Sequence, residues 1–272
     1  VPALLNLLQA VAGTANAPRL AVLTAQGFNV SGNEATPHWQ APGIAALLGV
    51  ARQEYPALSL LLLDRGDVSP QHLTERMLPL WSGEQDGLRV CAVRANGLFE
   101  QTLVPTAIPA AKPLPTGRHV LIGGLCDLGL NVARWLVQQG ARDLVLLTRR
   151  PASQAEAQIL DALRAQGVNI SVDADADAAD PAAFDAALER LAAGPALGVV
   201  MHLAGVVDDA PLVRYSAISW TRTLATKLTP ALALQRFENR LSPAMTVYFS
   251  SAASLFAPAG QGAHAFANGQ LE

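Results

Sequence analysis

Residues 119–130, His-Val-Leu-Ile-Gly-Gly-Leu-Cys-Asp-Leu-Gly-Leu, constrain this chain more than any other stretch. An apolar run enters a glycine turn, and the turn opens a helix predicted to begin near Leu128. A strand, a glycine turn and a helix in that order begin a dinucleotide-binding unit. Here, however, Cys126 and Asp127 stand where such turns carry glycine. The residues after the turn decide how the chain folds around it.

Past residue 130, strands and helices alternate. Strands are predicted at 118–122, 144–148, 168–172, 197–203 and 246–250, with helices at 128–139, 152–166, 181–193 and about 218–237 between them. The last of these helices is expected to bend near Pro230. Such alternation implies a parallel sheet covered on both faces, with ligands bound beyond the carboxyl ends of its strands. The loops after residues 122, 148, 173, 203 and 250 then line one crevice. The first hundred residues read as a helix at 3–11, strands at 19–24 and 58–64, helices at 43–54 and 70–81, and a hairpin. In that hairpin Asn96-Gly97 is taken as the turn between 88–94 and 98–103. Residues 27–42 read as a loop, and this half carries no glycine-rich phosphate turn. Pro105, Pro109, Pro113 and Pro115 mark a stiff linker over 105–116. The expected division is 1–112 and 113–272.

Composition narrows the function classes. The chain is 51% hydrophobic and 15% charged, enough apolar residue for a sizeable core. Its net charge of -3, with no basic stripe, argues against nucleic acid as a partner. No apolar run is long enough to span a bilayer. Two cysteines, Cys91 and Cys126, make neither a disulfide framework nor a metal cluster. Each is read as a small buried hydrophobe in a reducing, cytoplasmic setting. Both chain ends read as cut from a larger polypeptide.

Several side chains could carry chemistry. Arg149 and Arg150 follow the second strand of the later half, where a dinucleotide's ribose sits and arginine suits a 2′-phosphate. Ala204 and Gly205 are small enough for close backbone approach. His202 alone reads as a core histidine, Lys227 alone as a helix-surface lysine, and Asp208-Asp209 alone as a solvated loop.

Taken together, in order, the glycine turn, "LLTRR", "MHLAGVVDD", "ATK", "FSSAAS" and "GQGAHAFAN" resemble the ketoreductase domain of modular type I polyketide synthases, a short-chain dehydrogenase/reductase. The first half resembles the truncated, cofactor-free structural subdomain that precedes it. The resemblance implies an α/β fold of two Rossmann-like subdomains, the second a doubly wound parallel sheet. The strands and lid that come next in the family lie beyond the stretch matched here. It also implies NADP(H), no metal, and as partners an acyl carrier protein and neighbouring synthase domains. Lys227, Ser251 and Asn268 fall on the family's lysine, serine and asparagine, while His264 replaces its tyrosine. Gly123, Gly124, Asp127, Gly129, Arg149, Arg150, Asp177, Ala204 and Gly205 fall on the cofactor side. Asp208-Asp209 resembles a fingerprint of one stereochemical class.

The two departures shape the expectation. Imidazole can donate a proton, but its reach differs from a phenol's. Asp127 adds like charge where a pyrophosphate would sit, and is expected to cap the helix from Leu128 in its place. The expected function is a reductase-inactive, structural domain. Active NADPH-dependent reduction of a β-ketoacyl chain on its carrier protein and cofactor-independent α-epimerisation are the alternatives.

Overall fold

A computed structural model describes residues 2–12, 14, 18–35, 38–82, 88–108, 110 and 112–272. Pro109 of the linker, and residues 36–37 of the loop expected over 27–42, lie outside them.

Two sheets organise the chain. The first runs β1 (Arg19–Ala25), β2 (Ser59–Arg65), β3 (Leu88–Arg94) and β4 (Gly97–Glu100), in that spatial order. Its first three strands are parallel and β4 returns antiparallel. Arg94 pairs with Gly97, so the hairpin loop is Ala95-Asn96 and Gly97 already belongs to a strand. The expected Asn96-Gly97 turn is therefore one residue off, and β4 stops at Glu100 instead of running to 103. Helix α1 (Pro2–Val11), α2 (Ala41–Glu54) and α3 (Pro70–Ser82) cover this sheet.

The second sheet is wholly parallel, in the order β7-β6-β5-β8-β9. Its strands are β5 (Arg118–Ile122), β6 (Asp143–Leu147), β7 (Asn169–Asp173), β8 (Leu197–His202) and β9 (Met245–Tyr248). Central strands β5 and β8 are buried on both faces, which explains their uninterrupted apolar runs. Between them lie α4 (Asp127–Gln138), α5 (Gln154–Arg164), α6 (Pro181–Ala192) and α7 (Ala217–Leu241), followed by the short α8 (Ala253–Phe256) and α9 (Gly262–Gly269). Local chemistry starts these helices where it should. Ser153 and Glu156 form a reciprocal capping box on α5. The Asp180 carboxylate accepts the N–H groups of Ala182 and Ala183 ahead of Pro181. Helix α7 continues through Pro230 for 25 residues.

The two halves of the chain share a hydrophobic core. Leu5, Leu8, Leu47 and Val50 of the first half pack with Leu212, Trp220, Ala263 and Phe266 of the second. Helices α2 and α9 touch at two glycines: a Cβ on Gly269 would lie 3.0 Å from the Gly43 Cα. The helix that carries His264 thus rests on the half of the chain that has no glycine turn. Among the described residues, no helix is long and apolar enough to cross a membrane.

Candidate functional site

The glycine turn follows β5 directly. Gly123 has φ +82°, and a Cβ there would lie 2.8 Å from the backbone N and Cα of Ala204. A Cβ on Gly129 would lie 2.7 Å from the carbonyl of Gly124, and one on Gly124 would strike Leu146. All three glycines are required by the packing of the turn itself, whether or not a ligand lies against it.

Helix α4 begins at Asp127, and Cys126 is its N-cap. The Cys126 Sγ accepts the Gly129 N–H at 3.2 Å. The expectation that Asp127 caps a helix starting at Leu128 is corrected: Asp127 sits in the first turn, where its carboxylate faces the positive end of the helix dipole. Cys126 is also exposed, not the small buried hydrophobe expected, because a capping residue stands at the mouth of the turn. Cys91 is buried.

Beyond the strand ends opens a cavity of about 200 Å³, lined by Gly123, Leu125, Cys126, Leu147 to Arg150, Ala176 to Ala178, Ala204 to Val206 and Thr226. Of the expected cofactor residues it reaches Gly123, Arg149, Arg150, Asp177, Ala204 and Gly205. Gly124 and Gly129 are packed beneath the turn, and Asp127 is outside the lining. The two arginines differ. Arg150 is held bidentately by Glu156 at 2.7 Å. This guanidinium holds the Glu156 carboxyl down at about 2. Arg149 is exposed and makes no hydrogen bond or ion pair among the described residues. The Asp177 Oδ1 accepts the Ala179 N–H, which fixes the loop opposite.

Lys227 lies past Gly205, whose added Cβ would sit 3.2 Å from the lysine Cε. Far from being a surface lysine, it is 6% exposed, and its Nζ donates to the Phe249 carbonyl at 2.6 Å. Burial lowers its ammonium to about 8. Its own carbonyl accepts from His202 Nε2 at 2.8 Å. That buried histidine leaves Nδ1 without a partner and is pushed down by burial to about 4. His264 is half-buried in the first turns of α9. Burial, then the Lys227 charge, hold it below the usual imidazole range, with Asp209 pulling the other way. Asn268, one turn on, is wholly buried. Its Nδ2 donates to the His264 carbonyl at 2.8 Å and lies 3.3 Å from the imidazole Nε2. Ser251 is tied to its own turn, its Oγ accepting the Ala253 N–H. The fold therefore brings Lys227, His264 and Asn268 together, while Ser251 bonds within its own turn.

Asp208-Asp209 is no free solvated loop. Asp208 accepts from Ser219 and, at 2.6 Å, from Arg222, while Asp209 accepts from Gln261 at 3.0 Å. Residues in the first half also reach the site, and no short-range pattern announces them. Glu54 accepts backbone N–H groups from Leu212 and Gly260, and Gln9 donates to the carbonyls of Leu212 and Tyr215. Among the described residues no cluster of histidine, cysteine and carboxylate side chains could hold a metal ion.

A five-stranded parallel sheet with its order reversing at a glycine turn, an arginine after the second strand and a buried lysine across the crevice define a doubly wound, Rossmann-type class of fold. Similarity to known proteins specifies it further. The family model described as KR domain matches residues 117–272, and the chain belongs to that family, the ketoreductase domains of polyketide synthases. It is 38% identical over 195 residues to the hybrid PKS-NRPS synthetase pyvA of Aspergillus violaceofuscus, covering 71% of this chain and 5% of that protein. It is 34% identical over 259 residues to the spectinabilin polyketide synthase system protein NorA of Streptomyces orinoci, covering 92% of this chain and 13% of that protein. The solved ketoreductase from the first module of phoslactomycin biosynthesis in Streptomyces sp. HK803 superposes with TM-score 0.87 at 29% identity, over 98% of this chain and 63% of that one. The chain thus spans a small part of the synthases it matches and under two thirds of that solved domain. Its family generally uses NADPH.

Proposed function

We propose that this chain is a ketoreductase-homologous domain of a polyketide synthase that no longer reduces, and that serves the synthase structurally. In this reading the β-ketone of the chain borne on the acyl carrier protein passes unreduced. Residues 1–112 act as a structural subdomain, and 113–272 keep the frame of the catalytic one.

The carrying observation is the turn. The nucleoside end of NADPH meets a suitable wall, with Arg149 free for a ribose phosphate. At its diphosphate end the turn is altered where the family carries glycine. The Gly129 N–H that would help receive the diphosphate is already bonded to Cys126 Sγ, and Asp127 puts a carboxylate in the same helix turn. Across the crevice, His264 replaces the family's phenol. Burial and then the Lys227 charge hold it below its ordinary range, which disfavours the imidazolium, the form that would protonate an alkoxide.

NADPH titration by calorimetry tests the reading. The wild type should bind NADPH at least about tenfold more weakly than Asp127→Gly with His264→Tyr, since relief of like charge alone is worth that much. Tight binding by the wild type would sink the proposal.

The neutral imidazole favours one second reading. His264 could take the proton α to the ketone as a base and return it to either face, with Lys227 neighbouring the charge that develops on the oxygen. Loss of α-deuterium from a labelled β-ketoacyl thioester, without NADPH, would support it. Full retention of the label excludes it.

A further inference from the structure

Glu54 stands at the end of α2, in the half of the chain remote from the glycine turn. Its two carboxylate oxygens reach different loops of the other half. Oε2 accepts the Leu212 N–H at 2.6 Å, and Oε1 accepts the Gly260 N–H at 2.9 Å. The two N–H groups lie 48 residues apart in the chain, and one side chain joins them.

Other bonds close the same joint. The Gly260 carbonyl accepts from the Ala210 N–H at 2.8 Å and from the Tyr215 hydroxyl at 3.2 Å. The single proton of that hydroxyl is shared with the Asp208 carbonyl, which is nearer at 2.8 Å. Ala210 and Gln261 form an isolated parallel bridge. Gln9 on α1 donates to the carbonyls of Leu212 and Tyr215. The joint ends at the site. Gln261 is the N-cap residue of α9, its carbonyl accepts the Ala265 N–H, and its side chain holds Asp209. His264 comes three residues later.

We propose that Glu54 is a positioning residue for the crevice: it clamps the loop through Leu212 to the loop through Gly260 and so fixes where α9 presents His264 between Lys227 and Asp209. A carboxylate suits the task because it has two acceptors and no donor, and because charge strengthens both bonds. The first half of the chain then does more than bury apolar surface. It sets the geometry on which any proton transfer at His264 depends.

The test is Glu54→Gln in the 272-residue chain. A carboxamide offers one acceptor and turns an NH₂ toward the other N–H, so one bond must break. There are two readouts, both by NMR. Amide exchange at Leu212 or Gly260 should quicken by about tenfold or more, the worth of a hydrogen bond to a charged acceptor. The His264 imidazole titration should move up toward 6.5, because burial is the largest influence on it and an unclamped α9 relaxes that burial. The charged groups facing His264, Lys227 and Asp209, are left in place. Should Glu54→Gln not fold, Tyr215→Phe removes the one proton shared between two carbonyls of the same joint and should move both readouts the same way, less far. A variant that melts earlier but keeps the wild-type His264 titration and both amide rates would overturn the proposal. A wild type that bound NADPH would leave the clamp untouched, so the two readings fail separately.

Discussion

Gly123 carries two constraints at once, a φ of +82° and an Ala204 backbone 2.8 Å from where its Cβ would be. Gly123→Ala should therefore cost roughly 2–4 kcal/mol, combining left-handed strain with overpacking. Gly167 has φ +78° but nothing within 4 Å of its added Cβ, so Gly167→Ala should cost only about 1 kcal/mol. Urea unfolding of both variants without any ligand measures the difference. Equal costs would mean that the Ala204 contact contributes nothing and that the turn glycine is kept for something else. The same comparison shows that the turn's glycines answer to the atoms packed around them, whether or not a ligand lies against the turn. Cys126 and Asp127 are exposed and meet no such constraint. Cys126 is the cap, and Asp127 the charge on the first turn.

At the scale of elements, the first sheet buries an ion pair at the carboxyl ends of β2 and β3. Asp64, at the end of β2, is wholly buried. It accepts from Thr24 at 2.7 Å, from the Gly27 N–H at 3.0 Å and from Arg94 at 3.0 Å. Arg94, at the end of β3, also donates to Glu34 and to the Phe28 carbonyl. At the carboxyl end of this sheet lies a salt bridge roofed by the loop after β1. Removing one partner strands a buried charge, so Asp64→Leu should destabilise by about 3–5 kcal/mol, and Asp64→Leu with Arg94→Met should recover part of that. A double-mutant cycle in urea tests it; additive losses would mean that the two side chains do not depend on each other. Sequence reading recognised the strands and helices of this half and the absence of a phosphate turn. It did not see this ion pair, because Thr24, Asp64 and Arg94 meet only when three strands align.

For the whole molecule, buried histidines set the response to acid. His202 is pushed from 6.5 to about 4 by burial, so between those values the unfolded chain binds a proton that the folded chain refuses. Stability contributed by neutral His202 is present above pH 6.5 and is lost as pH falls toward 4, by about 3 kcal/mol in full. His119 and His264, both lowered first by burial, act in the same direction. His202→Gln keeps a donor for the Lys227 carbonyl and should flatten the stability curve across that window. An unchanged slope in urea unfolding from pH 7 to 4 would refute the assignment. At the other end, the lowered Lys227 ammonium makes the fold gain stability as pH rises from about 8 toward 10.5. The alternation of apolar strand and amphipathic helix, the glycine turn and the order of motifs determined the second sheet, its crevice and the family, because each depends on residues close in sequence or on a fixed spacing. The burial of Lys227 against Phe249, the Asp64–Arg94 pair and the Glu54 clamp were decided by the tertiary structure alone. Each is a directional contact whose partner is fixed only when strands, helices and loops close on one another, and a clamp joining residues 54, 212 and 260 leaves no trace in local pattern.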